Sequence, residues 1–600
     1  MKQLRNKIIS ILIAVVLIIV IAAIAFGGRI KESMETGEEF GLRWFLALIY
    51  PEKYSYSMEM ADMNEYFQLF SQSDIAIILQ NERIDDRGRL IDDNVYFSLD
   101  TVKRLFTDRF YVSADGNTLL YTTSSEIHKV NISEANPDEE NEENIGYYKG
   151  NEWISLDYKA AVYGDDGTLY IAADYVKNYA NFSYEFYANP NRMVVCTEWG
   201  TRREAEVLKG TQIRYQGGIK SDVLCQVEEG DKVTVLEIME NWTKVQTDDG
   251  FIGYIENEKL SEYVEVVDLP VTGAYDPADD YGRYGSVDGK LTIVYHQITY
   301  QDDGSGFNEL YASTSGIDVV VPTWFYLDDS DGGFTTLANS AYVENAHAKG
   351  LQVWALIEDM TNDVSEYELF SSETHRRTLI NNLIEQAVLF GIDGINIDLE
   401  EITSETGPHY VQFLRELSIE MHKNGLILSV DNYVPNEGNR YYNLKEQGYV
   451  ADYVIIMGYD EHWAGSSVAG SVASINFVEQ GIQDALTLGV PENKLINAVP
   501  FYTRIWKTEG VRVESSAVAM DIAWDWLNNR GLTAEWDDTA CQYYVSYQDG
   551  TALYEIWLED VDSLEVRLRT MNSSNLAGVA AWKLGLESAD VWPVINSYME

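Results

Sequence analysis

The C-terminal half of this 600-residue chain alternates short apolar runs with helix-like segments. The segments between the runs show helical spacing, as in Leu379, Leu383 and Ala387, which closes at Gly391 just before the next run. Eight runs are interpreted as strands: Leu291–Tyr295, Ile317–Pro322, Leu351–Ile357, Ile392–Leu399, Leu426–Val430, Tyr453–Gly458, Leu495–Val499 and Ala577–Trp582. This alternation predicts an α/β fold, a (β/α)₈ barrel over residues 290–600, whose chemistry lies at the C-terminal ends of its strands.

The fourth of these runs carries an alternating polar sequence. Residues 393–400 read Asp-Gly-Ile-Asn-Ile-Asp-Leu-Glu, so that Asn396, Asp398 and Glu400 share one face of a strand. Alternate Cα atoms lie roughly 6.6 Å apart, and one carboxylate at that spacing helps its neighbour to keep a proton for donation. A half-exposed strand with a solvated polar face is the alternative. The barrel context favours the acid pair, because inward positions of a barrel strand are not a solvated edge.

Three elements of this region resemble glycoside hydrolase family 18, the chitinase-like barrels. Asp393, Asp398 and Glu400 match the Asp-x-x-Asp-x-Asp-x-Glu motif of the family's fourth strand, whereas Asn396 departs from it. Met457-Gly458-Tyr459-Asp460 is similar to the Met-x-Tyr-Asp element after the sixth strand, and Trp582 to the sugar-stacking tryptophan of the eighth. Asn396, residues 500–504 and residues 582–587 most resemble the bacterial branch that contains spore cortex-lytic N-acetylglucosaminidases.

This resemblance implies hydrolysis with retention, in which the 2-acetamido group of the substrate replaces an enzyme nucleophile. Glu400 is then the general acid and later the base for water. Asp398 orients the acetamido group and stabilises its positive charge, and Tyr459 donates its hydroxyl to the acetamido oxygen. Trp582 forms the floor under the sugar. No cofactor is implied.

Further residues are grouped with substrate binding. They are Asp393, Asn396, Met457, Asp460, Tyr295, Trp324 and Arg504, and Trp354, Trp463 and Trp506 also stand at or near strand ends. Asp393 is expected to support the strand from below through hydrogen bonds. Asn396 replaces a carboxylate with a neutral amide, which removes one negative charge from the site and changes its coupled titration.

The amino terminus predicts a membrane anchor. Ile8–Phe26 is an uncharged run of spanning length preceded by Lys2, Arg5 and Lys7, which orients residues 1–7 inward and the remainder outward. A cleaved signal peptide is the alternative. The run is longer than the apolar region of a typical signal peptide, and a convincing small-x-small cleavage site is missing at its end. The predicted location is the cell membrane, with a single span and an extracellular catalytic domain.

Composition excludes several partners. With 43 basic and 97 acidic residues the net charge is −54, which argues against nucleic acid and anionic lipid. Three cysteines are too few for a disulfide framework, and seven histidines without short spacing do not predict a metal site.

Two smaller modules are predicted between the anchor and the barrel, after a juxtamembrane segment at 27–72. Residues 73–200 repeat an aromatic-led strand that runs into a helix, at 96–100, 153–157 and 170–174, and resemble the copper amine oxidase N-terminal-like domain, here an α+β module without implied copper. Residues 205–263 read as five short strands and resemble a bacterial SH3-like barrel. Two roles are open for these modules: a structural spacer and a domain that binds the cell wall. Residues 264–289 are the expected linker.

Three functions fit this sequence. The first is a membrane-anchored glycosidase on β-1,4-linked N-acetylglucosamine in peptidoglycan or spore cortex. The second is a chitinase on exogenous chitin. The third is a non-catalytic wall-binding lectin or scaffold on the same fold, which the presence of Glu400 disfavours.

Overall fold

The computed structural model describes residues 55–134, 145–282, 289–301 and 304–599, together with Leu46, Tyr50 and Lys53. The predicted anchor, Ile8–Phe26, lies outside them. Within the described ranges, no helix is long and apolar enough to cross a membrane. The chain forms two compact units. An N-terminal unit takes Met1–Asp108, Ser133–Glu143 and Asp157–Tyr275, and a barrel unit takes Arg109–Ile132, Asn144–Leu156 and Asp276–Glu600.

Eight parallel strands close into a barrel, which confirms the predicted (β/α)₈ fold. They are β1 (Leu291–His296), β2 (Val319–Leu327), β3 (Gln352–Glu358), β4 (Gly394–Asp398), β5 (Ile427–Tyr433), β6 (Tyr453–Met457), β7 (Leu495–Pro500) and β8 (Gly578–Trp582). Each strand pairs with the next in chain order, except that β8 pairs with both β7 and β1 and so closes the barrel. A short strand, Phe334–Thr336, adds antiparallel to β2.

Helices surround this barrel. They are Pro277–Tyr281, Ser305–Tyr311, Ser340–His347, Glu366–Ser371, Glu373–Phe390, Gly407–Lys423, Leu444–Val450, Ile475–Thr487, Met520–Asn528, Val561–Ser573 and Val591–Met599, with a 3₁₀ turn at Arg440–Tyr442. The long helix Glu373–Phe390 begins at the N-cap Ser372, whose hydroxyl accepts from the backbone of His375, and ends at Gly391 in the left-handed conformation. Strand β4 begins shortly after the end of this helix.

The strand side chains alternate between two apolar layers. Val319 and Val321 point into the barrel interior with Trp354, whereas Ile395 and Ile397 contact the helix layer. The inward positions of β4 are therefore left to Asn396 and Asp398, as the period-two pattern predicts.

An antiparallel sheet is inserted between β7 and β8. Its strands are Tyr502–Glu509, Arg512–Ala519, Glu535–Asp537, Gln542–Asp549 and Ala552–Leu558. The helix Met520–Asn528 covers one face through Ala523 and Leu527, which pack against Val545 and Ile556. The sequence analysis expected helical spacing between the strands and did not predict this sheet.

Five strands from the predicted 73–200 module belong to the barrel unit. They are Tyr111–Val112, Thr118–Thr122, Ile127–Asn131, Gly146–Lys149 and Glu152–Ser155. Arg109, just before them, is buried and pairs with Glu446 at 2.9 Å, and Arg415 pairs with the same carboxylate at 2.7 Å. Burial raises the pKa of Glu446, but the two guanidinium groups outweigh it and hold this pKa at about 2. This cluster joins the five strands to the helices after β4 and β5.

We expect Arg109→Met to lower the free energy of unfolding by about 3–5 kcal/mol, because it removes one partner from a buried carboxylate. Denaturant unfolding measures the change. Arg377→Met is the matched control, since Arg377 is exposed where it pairs with Glu373 at 2.8 Å. The control should cost less than about 1 kcal/mol. Equal losses in the two variants would contradict the assigned role of Arg109.

The N-terminal unit contains two sheets. The eight-stranded sheet takes Asp74–Leu79, Glu82–Ile91, Asn94–Ser98, Ser133–Glu134, Ala161–Tyr163, Leu169–Ala172, Ser183–Tyr187 and Arg192–Cys196, with helices Met63–Phe67, Leu99–Leu105 and Ala173–Val176. The seven-stranded sheet takes Gly200–Glu206, Thr211–Arg214, Val223–Val227, Lys232–Ile238, Trp242–Thr247, Ile252–Glu256 and Val264–Asp268, with a 3₁₀ turn at Asn257–Lys259. The identity of residues 73–200 with the copper amine oxidase-like domain stays a prediction.

Candidate active site

The acidic residues of β4 stand at the C-terminal end of the barrel. Asn396 and Asp398 are buried inside it, and Glu400 is the second residue after the strand and is partly exposed. Strand geometry thus places one carboxyl in the interior and the next at the mouth.

Glu400 holds a proton more firmly than an ordinary glutamate. Burial raises its pKa, and the negative charges of Asp460, Glu401 and Glu358 raise it further, against a hydrogen bond with Tyr433 that lowers it. A carboxyl whose surroundings raise its pKa and that is still partly exposed at the mouth of the barrel is suited to general acid catalysis.

The backbone of Glu400 is fixed by Asp359, the residue after β3. Asp359 Oδ1 accepts from the Glu400 N–H at 2.9 Å, and Oδ2 accepts from the Glu401 N–H at 3.1 Å. Burial raises the pKa of Asp359 to about 7, although both hydrogen bonds lower it. Asp359 therefore connects the loop after β3 to the loop after β4 and fixes the backbone at Glu400.

Asp359→Asn should lower kcat by about tenfold, because the amide keeps only one acceptor for the two N–H groups and Glu400 loses its fixed position. Steady-state kinetics with circular dichroism as a fold check measures this. Asp363→Asn, an exposed aspartate on the same loop, should leave kcat unchanged. If both variants behave alike, Asp359 does not position Glu400.

Asp398 is the most perturbed carboxyl of the site. Burial raises its pKa well above the ordinary value, and the charges of Asp431, Glu400, Asp359 and Glu358 raise it further. Its Oδ1 has no hydrogen-bond partner among the described residues. The unpartnered oxygen of Asp398 can accept a hydrogen bond from a bound molecule.

Tyr459 and Trp582 flank the acids from β6 and β8. Both pack against the interior apolar layer, and the Trp582 ring lies 5.6 Å from that of Tyr295. Burial raises the pKa of the Tyr459 hydroxyl well above its usual value, with Tyr502 and Asp398 adding to the effect. Tyr459 is therefore a hydrogen-bond donor over the working pH range.

Asp460 and Arg504 are brought together at the same rim. Asp460 accepts from the Tyr502 hydroxyl at 2.6 Å, and an Arg504 nitrogen lies 3.9 Å from the same carboxylate oxygen. Met457, the last residue of β6, precedes Asp460 by three positions and is buried. Asp460 and Arg504 form one side of the mouth.

Three residues grouped with substrate binding lie away from the mouth of the barrel, and Asp393 makes the supporting hydrogen bonds that were expected of it. Asp393 stands at the amino end of β4, where it accepts from Val353 N at 2.8 Å and contacts His347. Trp324 is fully buried in the helix layer against Tyr342, because it shares the outward parity of Val320. Asn396, also fully buried, contacts protein groups on β5 instead of the mouth.

Of the other tryptophans, Trp354 fills the barrel interior stacked on Tyr453, and Trp506 is buried with its ring N–H on Gly470. Trp463 is exposed on the loop after β6, with 58% of its surface accessible.

Four residues that contact or perturb the acids were missed from the sequence. They are Glu358, Asp359, Asp431 and Tyr433. A signal was present, since each ends or follows an apolar run that was already interpreted as a strand, and strand ends carry the chemistry of this fold.

Comparison with known proteins agrees with this geometry. A family model for glycosyl hydrolases family 18 matches residues 291–587, and one for the bacterial SH3 domain matches residues 209–264. The cortical fragment-lytic enzyme of Bacillus subtilis (strain 168) is 28% identical over 241 residues, which cover 38% of this chain and 54% of that protein.

Two further relatives match the same region. The putative sporulation-specific glycosylase YdhD of Bacillus subtilis (strain 168) is 26% identical over 266 residues, which cover 42% of this chain and 61% of that protein. Di-N-acetylchitobiase of Rattus norvegicus is 24% identical over 300 residues, with 44% and 79% covered. The chain thus spans a little over half the length of the bacterial relatives. The barrel, residues 291–587, is therefore a glycosyl hydrolase family 18 domain, and residues 209–264 are a bacterial SH3 domain.

Proposed function

We propose that this protein hydrolyses β-1,4-linked N-acetylglucosamine glycans with retention, using the acetamido group of the substrate as the nucleophile. The observation that carries the proposal is the pair of carboxyls on and just after β4, with Asp398 buried in the barrel and Glu400 at the mouth, where burial raises the pKa of both. A sugar whose glycosidic oxygen reaches Glu400 would present its 2-acetamido group towards Asp398.

In the first step Glu400 transfers its proton to the leaving glycosidic oxygen while the acetamido oxygen attacks the anomeric carbon. The acetamido N–H donates to Asp398, whose unpartnered oxygen is free to accept it. Tyr459 donates to the acetamido oxygen and holds it below the sugar. These contacts strengthen as positive charge develops on the cyclised group, so that they act on the transition state.

In the second step Glu400, now ionised, takes a proton from water as the water opens the cyclic intermediate. The burial that raised the pKa of Glu400 also makes its carboxylate a stronger base for this step. Attack from the face that the leaving group vacated regenerates the original anomeric configuration. Glu400 ends the cycle protonated.

For the substrate we propose peptidoglycan or spore cortex. The similarity to proteins named cortical fragment-lytic enzyme and sporulation-specific glycosylase supports it, as does the SH3 domain, for which we propose wall binding. Exogenous chitin is the second candidate, favoured by the similarity to di-N-acetylchitobiase. Digestion of purified peptidoglycan, spore cortex and chitin side by side, with product masses, separates the candidates. Release of products from chitin alone would overturn the first.

We also propose that Ile8–Phe26 anchors the protein in the cell membrane with the barrel outside. We expect external protease on intact cells to remove the barrel epitope, because Lys2, Arg5 and Lys7 precede the uncharged run. A cytoplasmic marker protein must stay intact in the same sample. Protection of the barrel epitope in intact cells, with digestion only after lysis, would show the opposite orientation.

A further inference from the structure

Three buried carboxyls form a row across three neighbouring strands of the barrel. Glu358 on β3 pairs in register with Asp398 on β4. Ile397 pairs with Val430, which places Asp398 beside Asp431 at the next position of β4 and β5. Neighbouring strands are ~4.8 Å apart, and the three residues are 6%, 7% and 4% exposed. Carboxyls this close in the interior cannot all be ionised.

The contacts of Asp431 favour the charged form of its carboxyl. The Tyr295 hydroxyl lies 2.8 Å from both carboxylate oxygens, and Asn396 Nδ2 donates to Oδ1 at 2.9 Å. Both neighbours are buried donors, and donors stabilise a carboxylate over a carboxylic acid. Asp398, in contrast, has no such donor on Oδ1 within the described part of the chain.

Asn396 connects β4 with β5 through two hydrogen bonds. Its amide donates to Ser429 at 3.0 Å and to Asp431, so it links β4 to the charge on β5. The sequence analysis expected Asn396 to remove one negative charge from the site. Asp431 provides a carboxyl on the adjacent strand at the level of Asp398, so the negative charge that Asn396 lacks can be supplied from β5.

We propose that Asp431 is a positioning residue that supplies from β5 the negative charge beside Asp398, so that the two carboxyls share one proton. In the free enzyme this proton resides on Asp398 and the charge on Asp431. When the acetamido group cyclises and becomes cationic, the proton passes from Asp398 to Asp431, which leaves Asp398 anionic beside the cation. The pair keeps one proton and one charge throughout. This inference rests on the proposed function for its role in turnover.

The surrounding groups agree with a shared proton. Burial raises the pKa of Asp431 to about 7, with Glu400 adding to it and the hydrogen bonds from Asn396 and Tyr295 lowering it. Other titratable groups interact with the pair: Glu358 at the end of β3, Asp359 just after it, Glu400 just after β4, Tyr295 on β1, Tyr410, Tyr433 at the end of β5 and Tyr459 after β6. All of them are acids, so their ionised forms disfavour a second charge on the pair.

The test uses the full chain with Asp431→Asn, with the exchanged pair Asn396→Asp/Asp431→Asn, and with Asp452→Asn as control. Asp452 is a buried aspartate at the other end of the barrel, on Leu428 N and His422. Infrared difference spectra against the same protein with Asp398→Asn follow the C=O stretch of protonated Asp398 across pH. We expect Asp431→Asn to lower its midpoint by about one pH unit or more, and the exchanged pair to restore it.

Turnover of an aryl di-N-acetylchitobioside provides the second readout. Asp431→Asn should lower kcat by about tenfold or more, and the exchanged pair should recover most of it, whereas Asp452→Asn should move neither the midpoint nor kcat. An unchanged midpoint in Asp431→Asn overturns the inference, as does an exchanged pair that restores neither quantity. A shifted midpoint in a protein that cleaves no N-acetylglucosaminide would overturn the proposed function and leave the charge coupling standing.

Discussion

Glu400→Gln should lower kcat on an N-acetylglucosamine oligosaccharide by at least about 10²-fold, the contribution usual for a general acid. The amide keeps the shape of the side chain but has no proton to give to the leaving oxygen. The backbone N–H bonds to Asp359 do not involve the side chain, so the loop should keep its position. Ligand binding, measured by calorimetry with an uncleaved oligosaccharide, should therefore persist.

Glu401→Gln is the matched control for this loss. Glu401 is the next residue, its backbone is held by the same aspartate, and its side chain is exposed. Removing its charge removes one of the influences that raise the pKa of Glu400, so the basic side of the pH profile should move slightly to lower pH with kcat little changed. Near-normal turnover in Glu400→Gln would mean that another group donates the proton.

The barrel and the acid pair were predictable because both depend on local periodicity. Runs such as Tyr453–Met457 are apolar on both faces, as strands covered by helices must be. The period of two in residues 393–400 then decides which side chains enter the barrel. Asn396 and Asp398 point inward in the structure for that reason alone.

Other features of the site and the fold could not be predicted, because they depend on contacts between residues that are far apart in the sequence. Nothing in the neighbourhood of Asp431 indicates that Tyr295, 136 residues away, donates to it. The pairing of Arg109 with Glu446 spans 337 residues and draws strands of an upstream segment into the barrel unit. The outward position of Trp324 could have been predicted from the sequence. Trp324 and Val320 are four residues apart, and side chains at that spacing lie on the same face of a strand.

The second large effect concerns the substrate. A glucoside that lacks the 2-acetamido group should react more slowly than its N-acetyl counterpart by about 10⁴-fold or more, because an oriented internal nucleophile has an effective molarity of 10⁵–10⁸ M. Among the described residues, the structure has no other carboxylate placed to attack the anomeric carbon instead of the acetamido group. Asp398 is buried below the mouth, where burial holds its pKa well above the ordinary value, and Glu400 has the proposed task of protonating the leaving oxygen. The ratio of kcat/KM for the matched pair of aryl glycosides measures the effect.

Loss of binding could mimic loss of the nucleophile, and a graded series separates the two. Mono-, di- and trifluoroacetamido substrates keep the N–H for Asp398 and nearly the same shape, but each fluorine makes the carbonyl oxygen less nucleophilic. kcat should fall stepwise along the series, whereas a carboxylate nucleophile would leave it nearly flat. A thiazoline that copies the cyclised intermediate should inhibit, and Asp398→Asn should weaken that inhibition, since a neutral amide cannot become the anion that faces the ring. A flat series together with an inert thiazoline would assign the attack on the anomeric carbon to a side chain of the enzyme.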